Sequence, residues 1–294
     1  MAKLNGIDVF SGEGKNITKE VPYDFALVKV SGNPQEYAWN YVNPYAKTQV
    51  DAAYKKTGLV GLYHFTFGLH DPYQEVKLFC DKVKEMGYIG KAILVIDYEA
   101  QAVRKGRGWV AKFAKGIMDR TGCVPMIYAS GSVIVEQNLG ALGYPIWEAS
   151  YPLGNQKIYG YNPPKKGKVW YKDRVMWQYT GTGRLKGHNG NLDLNVFYGG
   201  KKEWLELVKA DEKKKKKTPE YPTVTLKKGD KGGQVKRLQK CLNKLIKAGL
   251  EVDGSFGPAT FKAVKKFQKK HGLTVDGSCG PKTRAKIKKE LSKK

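Results

Sequence analysis

Eight short apolar runs recur within the first two hundred residues, and stretches of helical periodicity separate them. The runs fall near 6–9, 25–30, 60–65, 92–97, 125–128, 145–149, 175–179 and 192–197, with helical patterns over 35–56, 72–87, 103–121 and 132–141. Strands that alternate with helices predict parallel pairing with the helices packed on the outside. Eight such strands in about 210 residues predict an α/β fold, a modified TIM-like β/α barrel. Residues 150–200 show little helical pattern, so the last part of the barrel is expected to lack regular helices.

A lysine run, Lys213–Lys217, followed by Thr218-Pro219-Glu220-Tyr221-Pro222, reads as a solvated, semi-extended linker. It divides the chain into a large domain (1–209), a Lys/Pro-rich linker (210–222) and a small domain (223–294). The small domain contains a repeat. Gly249-Leu250-Glu251-Val252-Asp253-Gly254-Ser255-Phe256-Gly257-Pro258 recurs as Gly272-Leu273-Thr274-Val275-Asp276-Gly277-Ser278-Cys279-Gly280-Pro281, and each copy is followed by a Thr, Thr260 or Thr283. Asp-Gly and Gly-Pro mark turns, and Pro suits a first helical turn. Val235, Leu238, Leu242, Leu245 and Ile246 form a helical stripe upstream. The pattern predicts a small three-helix bundle with Phe267 and Ile287 inside. It has no cluster of catalytic carboxylates, His pair or Cys motif, so a binding module is expected.

The 53 Lys and Arg outweigh 27 Asp and Glu, a net charge of +26, and residues 211–294 hold 25 of the former against 8 of the latter. Such a balance favours a polyanion: nucleic acid, anionic lipid or a bacterial wall. The basic residues lie mainly in the linker and on helix faces without a nucleic-acid motif, so no specific nucleic-acid partner is expected. No apolar run approaches the roughly 20 residues of a membrane span, so no membrane insertion is expected. The opening residues, MAKLNGIDVFSGEG, lack an apolar signal core, which predicts no signal peptide and a cytoplasmic start. Cys80, Cys123, Cys241 and Cys279 form no Cys-x-x-Cys pair; buried free thiols are expected, with a Cys241–Cys279 bridge as the alternative. No metal or organic cofactor is implied.

Barrel active sites lie at the carboxyl ends of strands, which directs attention to acids beside the apolar runs: Asp8, Asp97, Glu99 and, opening the last run, Asp193. Asp97 and Glu99 are two residues apart and so face the same way on a strand. Crowded carboxylates raise one another's affinity for protons, and a protonated acid beside an ionised one is what glycosidic cleavage needs. Sugar sites also use flat aromatic surfaces, for which Tyr63, Phe65, Tyr128, Trp147, Tyr151, Trp177 and Tyr179 are candidates. His64, at a strand end, is assigned no catalytic role.

Six segments occur in order: Gly6-Ile7-Asp8-Val9, Tyr63-His64-Phe65, Ile96-Asp97-Tyr98-Glu99, Ile127-Tyr128-Ala129-Ser130, Ile146-Trp147-Glu148-Ala149 and Met176-Trp177-Gln178-Tyr179-Thr180. Gly190-Asn191-Leu192-Asp193-Leu194-Asn195 follows them. Together they resemble glycoside hydrolase family 25, the Chalaropsis-type lysozymes, over roughly residues 4–200. The resemblance implies a modified β/α barrel with β-1,4-N-acetylmuramidase activity on bacterial peptidoglycan. It implies Glu99 as proton donor, Asp97 as the carboxylate that orients the acetamido group or stabilises a charged intermediate, and Asp8 and Asp193 as the remaining acids. Phe10 and Glu13 stand where relatives often carry Ser and Gln, which adds a fifth carboxylate. The two Val-Asp-Gly-x-x-Gly-Pro-x-Thr segments resemble peptidoglycan-binding domain 1. With no signal peptide expected, the reading is a phage endolysin that waits in the host cytoplasm, reaches the wall through a separately made pore (a holin), and acts there. A nucleic-acid binder, a dead barrel that only binds walls, and a chitinase are the competing readings.

Overall fold

A computed structural model describes residues 2–33, 39–69, 71–165, 167–209 and 221–291. By internal contacts the chain divides into two compact units, Met1–Lys215 and Lys216–Lys294. The linker expected at 210–222 lies outside the described residues except for Tyr221 and Pro222. Among the described residues, no helix is long and apolar enough to cross a membrane.

The first unit is a closed barrel. Strands β1 (Leu4–Val9), β2 (Phe25–Ser31), β3 (Val60–Phe65), β4 (Ile93–Asp97), β5 (Met126–Ser130) and β6 (Ile146–Ala149) pair in order, all parallel. Strand β6 pairs in parallel with β8 (Met176–Arg184). Closure comes from β9 (Leu192–Phe197), antiparallel to both β8 and β1. This corrects the all-parallel expectation for the last strand. A two-residue strand, β7 (Ile158–Tyr159), adds to the far end of β8.

Helices α1 (Ile17–Glu20), α2 (Ala46–Thr57), α3 (Tyr73–Met86), α4 (Arg107–Thr121) and α5 (Gly131–Glu136) fill the crossovers. Helix α3 buries Val76, Phe79, Cys80 and Val83, the i, i+3, i+4, i+7 stripe of an amphipathic helix. It stops at Gly87, whose φ of 83° an L side chain resists. Helix α2 begins well after residue 35, because Ser31 and Val42 first form an antiparallel bridge. Among the described residues, the crossover between β6 and β8 consists of turns and β7.

Side chains alternate along each strand, so the barrel has two cores. Ile7, Val28, Leu62, Leu94 and Ile127 face the helices. Phe25, Leu27, Ile93, Val95, Met126, Met176 and Phe197 fill the interior. Helix α6 (Lys201–Val208) closes the amino end of the barrel: Trp204 is fully buried, 4.7 Å from the ring of Phe25 and 5.2 Å from that of Phe197. With one end plugged and the middle packed, only the carboxyl end is open.

The second unit contains α7 (Gly233–Ile246), α8 (Pro258–Lys270) and α9 (Pro281–Leu291) around Val235, Leu238, Leu242, Phe256, Val264, Phe267 and Ile287. The repeat has a structural explanation. Gln239 of α7 donates to Asp253, the Ser255 carbonyl and Thr260, and accepts from the Gly254 N–H. Gln268 of α8 makes the same four bonds one repeat later, to Asp276, Ser278, Thr283 and Gly277. Each Asp-Gly…Pro-x-Thr loop is therefore pinned by a buried glutamine on the preceding helix. All four cysteines are buried as thiols, with Cys241 and Cys279 in this core.

Candidate active site

Strand parity carries the inward face of the barrel from apolar to acidic. On β2, Phe25 and Leu27 belong to the interior core and Lys29 follows at the open end. On β4, Ile93 and Val95 are followed by Asp97, with Glu99 just beyond. Asp8 is the last inward-facing residue of β1 and Asp193 the first of β9. Because β9 is antiparallel its amino end lies beside its neighbours' carboxyl ends, so Asp193 and Asp8 are register partners.

The result is a pocket of about 190 Å³ at the carboxyl end of the barrel. It brings together Asp8, Asp97, Glu99 and Asp193 with Tyr63, Phe65, Tyr128 and Trp147. It does not include Trp177 and Tyr179. Their parity on β8 is that of the helix-facing core, and the inward residues of β8 are Met176 and Gln178. Trp177 donates its indole N–H to the Ser150 carbonyl at 2.9 Å and packs under Arg174, 4.5 Å away; Tyr179 is fully buried. Neither can offer a ring to a ligand in this pocket.

Three residues complete the site that sequence reading passed over: Lys29, Gln178 and Asn195. Asp8 accepts from Asn195 Nδ2 at 2.7 Å and Gln178 Nε2 at 2.8 Å. Both amides are held in turn. Trp147 Nε1 donates to Asn195 Oδ1 at 2.9 Å, and Gln178 Oε1 accepts from Tyr128 at 2.8 Å and Tyr151 at 2.5 Å. The amide NH₂ groups are thus forced to face Asp8. Lys29 lies at a bulge, where the β2–β3 register slips between Lys29 and Ser31. Its ammonium stands 4.6 Å from the Phe65 ring centre and 5.8 Å from that of Phe10.

Burial raises the proton affinity of every acid here, but their neighbours separate them. For Asp8, burial is opposed by hydrogen bonds from Asn195, Gln178 and the Asp193 carboxyl. Asp193 is pushed well above the usual carboxylate range by burial and then by the charge of Asp8. This pair can hold one proton, on Asp193, donated to an ionised Asp8. Asp97 is also raised well above that range, by burial and then by Glu99, with Lys29 opposing. Its Oδ1 is buried and has no hydrogen-bond partner among the described residues. Glu99 is raised by burial and then by Asp8, again with Lys29 opposing. Unlike Asp97, Glu99 keeps part of its surface open to solvent. Glu13 is raised by burial, feels Asp8 and Lys29, and accepts the Phe10 N–H at 2.8 Å. Several carboxyls around one partly desolvated ammonium cannot all ionise, so the pocket holds protonated and ionised acids together between aromatic walls.

His64 is spent on structure. Its ring bonds Ser31 at 2.9 Å and Glu75 at 3.1 Å, on the helix side of β3. Glu75 also accepts the N–H groups of Phe67, Gly68 and Leu69, which fixes the loop after β3. Among the described residues, no group of His, Cys, Asp and Glu is arranged to hold a metal ion.

Comparison with known proteins agrees with this geometry. The family model for glycosyl hydrolases family 25 matches residues 15–188, and one for a peptidoglycan binding domain matches 231–287. An autolytic lysozyme of Clostridium acetobutylicum is 28% identical over 274 residues, 90% of this chain and 72% of that protein. A family 25 glycosyl hydrolase from Bacillus anthracis superposes with a TM-score of 0.51 at 25% identity, covering 69% of this chain and 92% of that one. The catalytic domain of an endolysin from bacteriophage P40 of Listeria monocytogenes shares the fold, with a TM-score of 0.56 at 20% identity over 71% of this chain and 98% of that one. Asp8 and Asp193 fall outside the matched segment, and strands β1 and β9 return them to the acids inside it. The family match spans more than half of the chain, the fold is that of solved relatives, and the acids of the matched segment converge at the open end of the barrel: the chain belongs to glycosyl hydrolases family 25.

Proposed function

We propose that this family 25 lysozyme cleaves the β-1,4 bond between N-acetylmuramic acid and N-acetylglucosamine, with Glu99 as the proton donor. The observation that carries the assignment is the division of labour among the acids. Glu99 is raised toward protonation and still reaches solvent, as a group that must meet a leaving oxygen requires. Asp97 sits deeper, with a buried oxygen free to accept a hydrogen bond from the substrate's acetamido N–H. Asp8, held by two clamped amides, is the anion best placed to stabilise positive charge developing at the sugar ring. Asp193 keeps the shared proton that fixes Asp8. Tyr63, Phe65, Tyr128 and Trp147 supply the walls.

Residues 1–209 are then the catalytic domain and 223–294 a module that holds the enzyme on the wall. The +26 charge suits action on an anionic surface. Purified walls should clear with new reducing sugars and without new free amino groups. New amino groups would instead indicate an amidase or peptidase.

The finer biological role proposed is that of a phage endolysin, released through a holin-type pore from the host cytoplasm to the wall. The P40 endolysin domain carries the same barrel. A second reading, an autolysin, is favoured by the Clostridium autolytic lysozyme, which matches along both units. Expression inside a susceptible host separates them. An endolysin lyses the cells only when a membrane pore is co-expressed, and lysis without any pore favours an autolysin.

A further inference from the structure

Strand β8 does not stop at the barrel rim. Its pairing with β9 slips twice, between Gln178 and Thr180 and between Thr180 and Gly183, and the strand continues to Arg184. There it pairs with β7, Ile158 against Gly183 and Tyr159 against Arg184, and the Gly160 N–H donates to the Arg184 carbonyl at 2.9 Å. The overhang forms one wall of an open cleft of about 650 Å³, lined by Tyr151, Asn155, Lys157, Thr182, Arg184 and Asn191, with Gly181 in its floor.

This cleft adjoins the acid pocket. Tyr151 lines the cleft and donates to Gln178, which lines the pocket. A Cβ at Gly181 would lie 3.0 Å from Asp193 Oδ1 and 3.7 Å from Tyr151, so a side chain there would crowd the passage. The charge reverses across that passage. The pocket holds four acids and one lysine, whereas the cleft is lined by two cations, three polar side chains and a tyrosine, with no acid. Among the described residues, neither Lys157 nor Arg184 pairs with a carboxylate. Arg184 Nη1 reaches only the Gly183 carbonyl, at 3.4 Å.

We propose that this cleft receives the stem peptide of peptidoglycan, with Lys157 and Arg184 binding its carboxylates. The inference rests on the muramidase reading. Each muramic acid carries its peptide on a lactyl ether that projects sideways from the glycan, and the peptide is the anionic part of the strand. A glycan seated on the acids therefore needs a cationic, hydrogen-bonding surface to one side. The overhang supplies one, held by backbone pairing rather than by a loose loop. Lys157 and Arg184 are specificity residues and take no part in bond cleavage.

The test compares soluble glycan chains carrying stem peptides with the same chains stripped of peptide by an amidase and capped as methyl amides at the lactyl carboxyls that the amidase frees. The enzymes are the full-length wild type, the double variant Lys157→Gln/Arg184→Gln, and a charge-matched double control, Lys55→Gln/Lys112→Gln, on the outer helices α2 and α4. Circular dichroism and thermal melting establish that each variant is folded. Loss of two exposed ion pairs should raise KM on peptide-bearing chains by roughly threefold to tenfold. The kcat should hold, bare chains should be cut as by wild type, and the control should be unaffected. As a second measure, Lys157→Glu should weaken equilibrium binding of peptide-bearing chains further and leave bare chains unchanged. An equal effect on both substrates, or none on either, would overturn the assignment. Failure of the wild type to release reducing muramic acid from either chain would instead count against the muramidase reading.

Discussion

Replacing Glu99 with Gln removes the transferable proton and little else. The amide has nearly the shape of the protonated acid, which burial and the charge of Asp8 already favour in the folded protein. Loss of a general acid typically lowers a rate by about 10² to 10⁴, or about 3 to 5 kcal/mol in the barrier. Wall-clearing activity, followed by turbidity, should fall by that factor. Stability should move the other way. A carboxyl whose folded pKa is raised contributes stability below its unfolded pKa and loses it as pH rises through the folded value. Wild type therefore carries a penalty at neutral pH that Glu99→Gln lacks. Denaturation of both proteins should give matching midpoints near pH 4 and a variant at least as stable near pH 8. Near wild-type clearing by a folded variant would refute the assignment of Glu99, and a variant less stable than wild type at pH 8 would refute the electrostatic account of the pocket.

Asp97→Asn should also lower activity while raising the midpoint of unfolding at pH 8, because its carboxyl is raised further still by burial and Glu99; an unchanged or lower midpoint would contradict the burial argument. Glu75 behaves oppositely: despite burial, His64 and the backbone N–H groups hold it below the usual range, so the stability it confers is present above the unfolded glutamate pKa and is lost as pH falls through the folded value. Glu75→Gln turns an NH₂ toward backbone donors and should cost about 3 kcal/mol or more at pH 7 in denaturant titrations, with a smaller loss on acidification than wild type. In the second unit, Gln268→Ala strands the buried Gly277 N–H, at about 1–3 kcal/mol, and leaves the Ser278 carbonyl with only the Thr283 hydroxyl, at a smaller cost. The melting transition of that unit within the full chain should fall by roughly 10–20 °C while the barrel's transition holds.

Much of the site was legible because a strand's period of two puts Asp97 and Glu99 on one side, and because acids closing apolar runs are conspicuous. Trp177 and Tyr179 misled because an aromatic at a strand end looks the same on either face. Only parity against Gln178, a polar residue on the inward side, separates wall from core. Lys29 gave a similar signal, a charge in register with Phe25 and Leu27. The direction of β9 was not legible, since alternation reads the same in both directions, yet it decides that Asp193 meets Asp8. Nor was the β8 overhang, because Gly181-Thr182-Gly183 reads as a turn until β7 and β9 pair with it. In the second unit the repeat was plain, but its cause was not: Gln239 and Gln268 lie outside the repeated segments that they hold.

The central claim is the bond that is cut. Purified walls digested to completion, reduced with borohydride and hydrolysed, report the sugar at each new reducing end by mass spectrometry. The account predicts muramitol, formed by wild type and nearly absent with Glu99→Gln. Glucosaminitol at the new ends would contradict it.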